Sequence, residues 1–327
     1  MRIATIGTGR IVHEFLDAVE MIDGTECTAV YSRTKETAQT LAEKYQVDTI
    51  YTDLTEMFSA PDIDAVYIAS PNSLHFKQSY DALSHGKHVI CEKPFTTTVE
   101  ETEQLTALAK KKSLLLFEAI KNIHLPNYQL ISEHIERIGD IKFVQCNYSK
   151  YSSRYDALKN GETPNVFNLE FAGGALADLN IYNLHFIIRL LGEPESIEYT
   201  ANKHPNGIDT SGIAVMKYPD FIAECVAGKD ARSLNFSIIQ GEKGYISVKN
   251  GANGCDEITV DIEGKAYHLN NQTVDNHLYY ETKVFSEIFK DNDLERCYAM
   301  LEHSHSVMNA YETARKSADI IFPSDEA

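Results

Sequence analysis

Arg2-Ile3-Ala4-Thr5-Ile6-Gly7-Thr8-Gly9-Arg10-Ile11-Val12 lies at the start of the chain. Residues 2–6 read as a short strand. Val12, Phe15, Leu16 and Val19 then recur at helical spacing. Strand, glycine-rich turn and helix form the context that a dinucleotide fingerprint needs. Gly7 allows the tight turn, and Gly9 lets the backbone approach a pyrophosphate. Thr8, Arg10 and Ile11 complete the loop, and the helix start offers free N–H groups and positive dipole to phosphates. Val12 stands where a Gly or Ala is usual.

Outward from that turn, strand and helix keep alternating. Residues 27–31 form a second strand that runs into Ser32-Arg33-Thr34. An NAD enzyme usually places Asp or Glu there for the ribose 2′-hydroxyl. Ser32 instead offers a hydroxyl and Arg33 a fork of donors suited to a 2′-phosphate, so NADP is the expected cofactor, with NAD left open. Residues 65–69 are continuously apolar, as a strand buried on both faces should be. They end at Ser70-Pro71-Asn72-Ser73-Leu74-His75, where Asn72 is expected to cap the next helix and His75 to serve structure or the cofactor edge. Gly86-Lys87-His88-Val89-Ile90-Cys91-Glu92-Lys93-Pro94 follows: a buried strand that ends on a carboxylate, an ammonium and a proline. Open α/β sheets bind ligands outside the carboxyl ends of their strands, which makes Lys93 a candidate. Thr98-Val99-Glu100-Glu101 is a capping box opening a helix through Lys112. A strand over 114–117 then leads to Glu118. The fold class is α/β. A doubly wound parallel sheet spans residues 1–121, with the ends of strands one, four and five brought together by right-handed crossovers.

After Pro126 the pattern changes. A helix over 127–137, a strand over 141–151 and a polar loop over 152–166 precede a helical segment that follows Gly173-Gly174 and runs to Leu191. Seven strands between 196 and 269 read as antiparallel hairpins, and two helices, 277–290 and 294–321, close the chain. Residues 122–327 are thus expected to be an α+β domain on a large, open, mainly antiparallel sheet. A broad face of that kind marks an interface, so a homodimer or homotetramer through the sheet is expected. Asp178, Tyr182 and His185 stand at i, i+4 and i+7, one face of an α-helix. Three ionisable groups in an apolar segment cost stability unless paired, as at a functional site.

The whole chain of 327 residues has a net charge of −18, which argues against nucleic acid and anionic membrane surfaces as partners. A small molecule is the expected ligand. The six cysteines, at 27, 91, 146, 225, 255 and 297, form no C-x-x-C pair. Scattered thiols, no signal peptide and no apolar run of ~18 residues suggest a cytoplasmic protein. Metal binding by His303 and His305 is a weak reading, because i and i+2 point apart on a helix.

Together these pieces resemble the Gfo/Idh/MocA oxidoreductases, named for glucose–fructose oxidoreductase and inositol dehydrogenase. The matching residues are Gly7 to Ile11, Pro71-Asn72 with His75, Gly86 to Pro94, Glu118-Ala119, and Gly173 to Leu176 with Asp178. The resemblance implies a Rossmann domain, an α/β domain with an open sheet and a nicotinamide cofactor. It also implies that Lys93 is the active-site lysine and Asp178 its acidic partner. Ser70, Glu92 and Glu118 join the expected cofactor edge. Tyr182 stands where many members carry His, and members resembling dihydrodiol dehydrogenase carry Tyr. The expected chemistry is hydride transfer on the alcohol or carbonyl of a small sugar-like or diol substrate. Tyr182 would be the proton donor and acceptor, Lys93 the adjacent cation held by Asp178, and His185 a substrate-binding group. The competing expectation is a non-catalytic NAD(P)-binding regulator of the same fold.

Overall fold

The computed structural model describes residues 1–326. Two compact units emerge, one of Met1–Ala119 with Val274–His305, the other of Ile120–Thr273 with Ser306–Ala327.

The first unit alternates β1 (Arg2–Ile6), α1 (Arg10–Val19), β2 (Glu26–Tyr31), α2 (Lys35–Lys44), β3 (Thr49–Tyr51), α3 (Leu54–Ser59), β4 (Ala65–Ile68), α4 (His75–Ser84), β5 (His88–Glu92), α5 (Val99–Lys112) and β6 (Leu116–Ala119). The sheet order is β3-β2-β1-β4-β5-β6 with every pair parallel. The order reverses between β1 and β4, the switch point at which such sheets bind ligands. The capping box opening α5 is formed: Thr98 accepts from the Glu101 N–H and Glu101 reaches back to the Thr98 N–H.

The second unit contains α6 (Pro126–His134), β7 (Ile141–Ser149), α7 (Tyr155–Lys159), α8 (Ile181–Leu191), β8 (Ser196–Lys203), β9 (Asp209–Lys217), β10 (Ile222–Gly228), β11 (Phe236–Gly241), β12 (Gly244–Lys249), α9 (Gly251–Gly254), β13 (Glu257–Ile262) and β14 (Lys265–Leu269). Its sheet runs β14-β13-β12-β11-β7-β10-β9-β8. The expected succession of hairpins fails at one place. β11 does not fold back on β10 but pairs with the far side of β7, so β7 and β10 become parallel neighbours. One face packs on α6 and α8. The other leaves Ile213, Val215, Ile222 and Tyr245 between 39% and 46% exposed.

The last two helices, α10 (Leu278–Asp291) and α11 (Leu294–Ser317), correct the expected boundary. Residues 274–305 fold with the first unit rather than with 122–327. The reason is packing. Phe285 stacks on Phe117 with centroids 4.5 Å apart, and Leu278, Ile288 and Cys297 join the core of the parallel sheet. Cys297 Sγ also sits 3.3 Å from both the N and the O of Leu116.

Candidate active site

In the first unit the polar residues gather at the carboxyl ends of β1, β4 and β5. Gly7 has φ +112°, and a Cβ there would lie 2.7 Å from the Ala69 carbonyl oxygen. Only glycine fits that turn. Gly9, the N-cap of α1, has ordinary extended backbone and nothing within 4 Å of its Cβ position. The loop is therefore closed behind Gly7 and open at Gly9, as a phosphate-binding turn requires. No acidic residue stands in the first turn of α1, so its dipole is uncontested there. Val12 is fully buried and packs toward Gly7, filling the volume that a smaller residue would leave. Thr8 and Ile11 are half-buried, while Arg10 is exposed and bound to Glu14 at 2.6 Å. At the end of β2, Ser32 donates to Thr37 and Thr34 caps α2. Arg33 is exposed, and no carboxylate among the described residues pairs with it. These residues fit a dinucleotide with a phosphate on its adenosine ribose.

The Lys93 turn is fixed by its neighbours' side chains. The Lys93–Pro94 peptide is cis. Glu92, buried, accepts from Tyr67 Oη at 2.6 Å and from the Lys93 N–H at 3.3 Å. Glu118, also buried, accepts from the Phe95 N–H at 3.2 Å. His75 is fully buried, with Nδ1 2.9 Å from the Pro94 carbonyl and Nε2 3.0 Å from the Ser70 carbonyl. It ties the end of β4 to the turn after β5. Burial pushes its pKa down, against the two carbonyl contacts that would raise it. Ser70 Oγ donates to Gln78. Pro71 and Asn72 are half-buried at the end of β4. Asn72 does not cap α4 as expected: residues Asn72–Leu74 form a 3₁₀ turn, and α4 has no side-chain cap.

In the second unit the expected α-helical stripe is corrected. Residues Leu176–Asn180 are a π-helix that passes into α8. The wider turn breaks the i, i+4, i+7 row: Asp178 stays half-exposed, whereas Tyr182 and His185 are buried. Gly173 and Gly174 make this possible, since a Cβ at Gly174 would meet Asp209 Oδ1 at 2.0 Å. Asp209, buried at the start of β9, accepts from the Leu176 N–H and from Tyr199 Oη, and burial pushes its pKa up. Asn180 and Asn183 then donate to the Cys225 and Val226 carbonyls of β10.

That docking brings Asp178 onto Lys229, the residue just past β10, and the two form an ion pair. Lys229 is 4% exposed. Sequence reasoning missed it, although it follows a strand end as Lys93 does. Tyr182 is held from two sides: Asn122 Nδ2 donates to its carbonyl at 2.9 Å, and its ring meets Tyr148 edge-on at 5.8 Å. His185 is 0% exposed and offers a ligand no surface, contrary to the expected substrate contact. The surrounding apolar run of α8 encloses it. His303 is buried, and His305 lies 3.1 Å from Glu103. Among the described residues no group of three or more His, Cys, Asp and Glu side chains could hold a metal.

Chemically, the first unit is a dinucleotide-binding sheet with a fixed lysine at a strand end. The second presents a carboxylate–ammonium pair, Asp178 with Lys229, and a tyrosine four residues after the carboxylate. Two family models match: the oxidoreductase family with an NAD-binding Rossmann fold over residues 1–120, and the GFO/IDH/MocA C-terminal domain over 128–247. The chain belongs to the Gfo/Idh/MocA oxidoreductase family. It is 35% identical over 334 residues to an NADP(+)-dependent scyllo-inositol 2-dehydrogenase of Bacillus subtilis, covering 100% of each. It is 26% identical to the trans-1,2-dihydrobenzene-1,2-diol dehydrogenase of Sus scrofa, covering 100% of this chain and 99% of that one. A 3-ketoreductase from Actinomadura kijaniata, solved with NADP and TDP-benzene, shares the fold at TM-score 0.85 and 21% identity over 97% of each chain.

Proposed function

We propose that the chain is an NADP-dependent dehydrogenase or reductase of a sugar-like or diol alcohol, with Tyr182 handling the hydroxyl proton. The observation that carries this is Tyr182 itself: a tyrosine held at its carbonyl by Asn122 and at its ring by Tyr148, four residues after the Asp178 that pairs with Lys229, in a chain of this family. The B. subtilis relative is named for scyllo-inositol and NADP(+), and the S. scrofa relative for a diol. Arg33, exposed and with no carboxylate partner among the described residues, supports a 2′-phosphate. A bound nicotinamide supplies the hydride acceptor or donor.

The residues do the rest. Tyrosine's ordinary pKa is about 10, and a neighbouring ammonium lowers it by favouring the phenolate. Lys93 is assigned to the substrate oxygen; the bonds from Glu92, Glu118 and His75 hold its backbone still. Asp178 fixes the charge around the phenol. The open sheet face bearing Ile213, Val215 and Ile222 supports a homodimer or homotetramer, and six free cysteines suit a cytoplasmic setting.

Two measurements test this. Fluorescence titration should show tighter binding of NADPH than of NADH, with the preference lost in Arg33→Ala; equal affinities in the unaltered protein defeat the NADP assignment. Tyr182→Phe should cut turnover of a polyol or diol by roughly 10²–10⁴ and leave NADPH affinity in place. Unchanged turnover removes Tyr182 from the role. NADPH binding with no turnover across polyols, diols and their ketones would favour a regulator.

A further inference from the structure

β7 and β10 run parallel, and their last paired residues are Ser149 and Gly228. One position further stand Lys150 and Lys229. The Lys150 N–H still donates to Gly228 O, in register, at 2.8 Å; beyond it the pairing slips by one, with the Ser152 N–H donating to Lys229 O at 2.8 Å. Strand side chains alternate, so Lys150 falls on the face of Cys146 and Tyr148, and Lys229 on that of Cys225 and Ala227. This is the face that carries the π-helix and α8, where Tyr148 meets the Tyr182 ring. Two lysines therefore occupy neighbouring positions on the side of the sheet that holds Tyr182 and Asp178.

Like charges directly opposite each other weaken a strand pair. Asp178 answers Lys229. Nothing answers Lys150: it is exposed, and no carboxylate among the described residues pairs with it. Arg232, three residues past Lys229, has no carboxylate partner either, and its guanidinium lies 5.9 Å from the ring of Tyr151. In a chain of net charge −18, acidic partners are plentiful. A strand end that leaves Lys150 unmatched, next in register to the Asp178-bound Lys229, is built for an anion that comes from outside.

We infer that Lys150, backed by the Asp178-bound Lys229, binds an anionic substituent of the substrate, a carboxylate or a phosphate. This rests on the assignment of Tyr182 to the reacting carbon. The anion sits on a part of the substrate remote from that carbon, so Lys150 sets specificity and takes no part in the proton transfer.

Glucose, glucuronate and glucose 6-phosphate form a test set that differs in one substituent. Each is assayed for turnover with NADP(H), and for binding by calorimetry, in the unaltered protein, in Lys150→Met and in Lys265→Met. Lys265 is an exposed lysine of β14, so its loss changes net charge equally. At least one anionic member should show a KM or dissociation constant about tenfold below that of glucose, the scale of a charge-assisted hydrogen bond. Lys150→Met should abolish that preference and Lys265→Met should keep it. The arm that responds, uronate or phosphate, names the anion. No preference for either anion, or a preference that survives Lys150→Met, overturns the inference. Anion binding that depends on Lys150, with no turnover of any member, upholds the anion site and counts against the oxidoreductase reading.

Discussion

The two polar centres of the molecule are stabilised in opposite ways. Around Lys93, side chains fix backbone: Glu92, Glu118 and His75 bind main-chain atoms of residues 93–95. Around Tyr182, backbone fixes side chains. Carbonyls of β10 hold Asn180 and Asn183, and the π-turn they anchor delivers Asp178 to Lys229. The first arrangement sets the position of one lysine. The second sets a local charge balance. Losses in the first centre should therefore read out as a loosened turn, and losses in the second as an unanswered charge.

The largest effect should come from the second centre. Asp178→Ala leaves the Lys229 ammonium almost fully buried without its counter-charge. Breaking an enclosed pair costs ~3–5 kcal/mol. Asp178 is itself 37% exposed, and water would answer part of the charge, so about 2–3 kcal/mol is expected in urea denaturation. Asp178→Asn should cost less, because an amide oxygen still accepts from Lys229. Equal losses would show that the pair matters as a charge balance and not as a hydrogen bond.

In the first centre, Glu118→Ala orphans the buried Phe95 N–H at a cost of ~1–3 kcal/mol. Exchange of that amide should quicken, and turnover should fall with it. Glu118→Gln keeps an acceptor and should restore most of both. A loss of turnover without faster exchange would mean that Glu118 acts otherwise than through the turn.

The glycine loop separates the two kinds of loss within one motif. Gly7→Ala meets the Ala69 carbonyl at 2.7 Å with φ +112° and should cost ~1–3 kcal/mol of stability. Gly9→Ala adds a Cβ with nothing within 4 Å of it. It should leave stability within about 0.5 kcal/mol yet weaken NADPH binding at least about tenfold, through the lost approach of backbone to phosphate. Unaltered NADPH affinity would move the pyrophosphate away from Gly9.

Much of this was legible in the sequence where one local rule decided the outcome. β4 follows from a continuous apolar run, α1 from apolar residues at helical spacing, and Gly7 from the tight turn between β1 and α1. Lys93 could be singled out because it follows a buried strand. The misses share a cause: they depend on residues distant along the chain. The parallel pairing of β7 with β10 is set by where β11 finds its partner, and no local pattern encodes that. The folding of 274–305 with the first unit depends on Phe285 finding Phe117, 168 positions earlier by number. The π-turn at 176–180 needs Asp209 and the β10 carbonyls, so apolar spacing alone read it as α-helix. Lys229 was invisible for the same reason. Its meaning comes from Asp178, 51 residues away.

His75 offers the smallest effect and a finer probe of how the Lys93 turn is held. Its two ring nitrogens face two carbonyls, of Pro94 and Ser70, but a neutral ring has one N–H and can donate to only one. Burial pushes the folded pKa below the ordinary ~6.5. The unfolded chain therefore takes up a proton more readily than the folded one. His75 then contributes stability that is fully present above about pH 6.5 and is lost as pH falls through that value toward the folded pKa. The slope is bounded at about 1.4 kcal/mol per pH unit for one proton. Urea denaturation between pH 5 and 8 should show the unaltered protein losing its advantage over His75→Gln as pH falls, since Gln does not titrate. A constant gap would mean that burial leaves the ring's pKa where the unfolded chain has it, and a gap that widens as pH falls would mean that the folded ring is doubly protonated and donates to both carbonyls, so that the turn is held by a charge after all, as the Asp178 corner is.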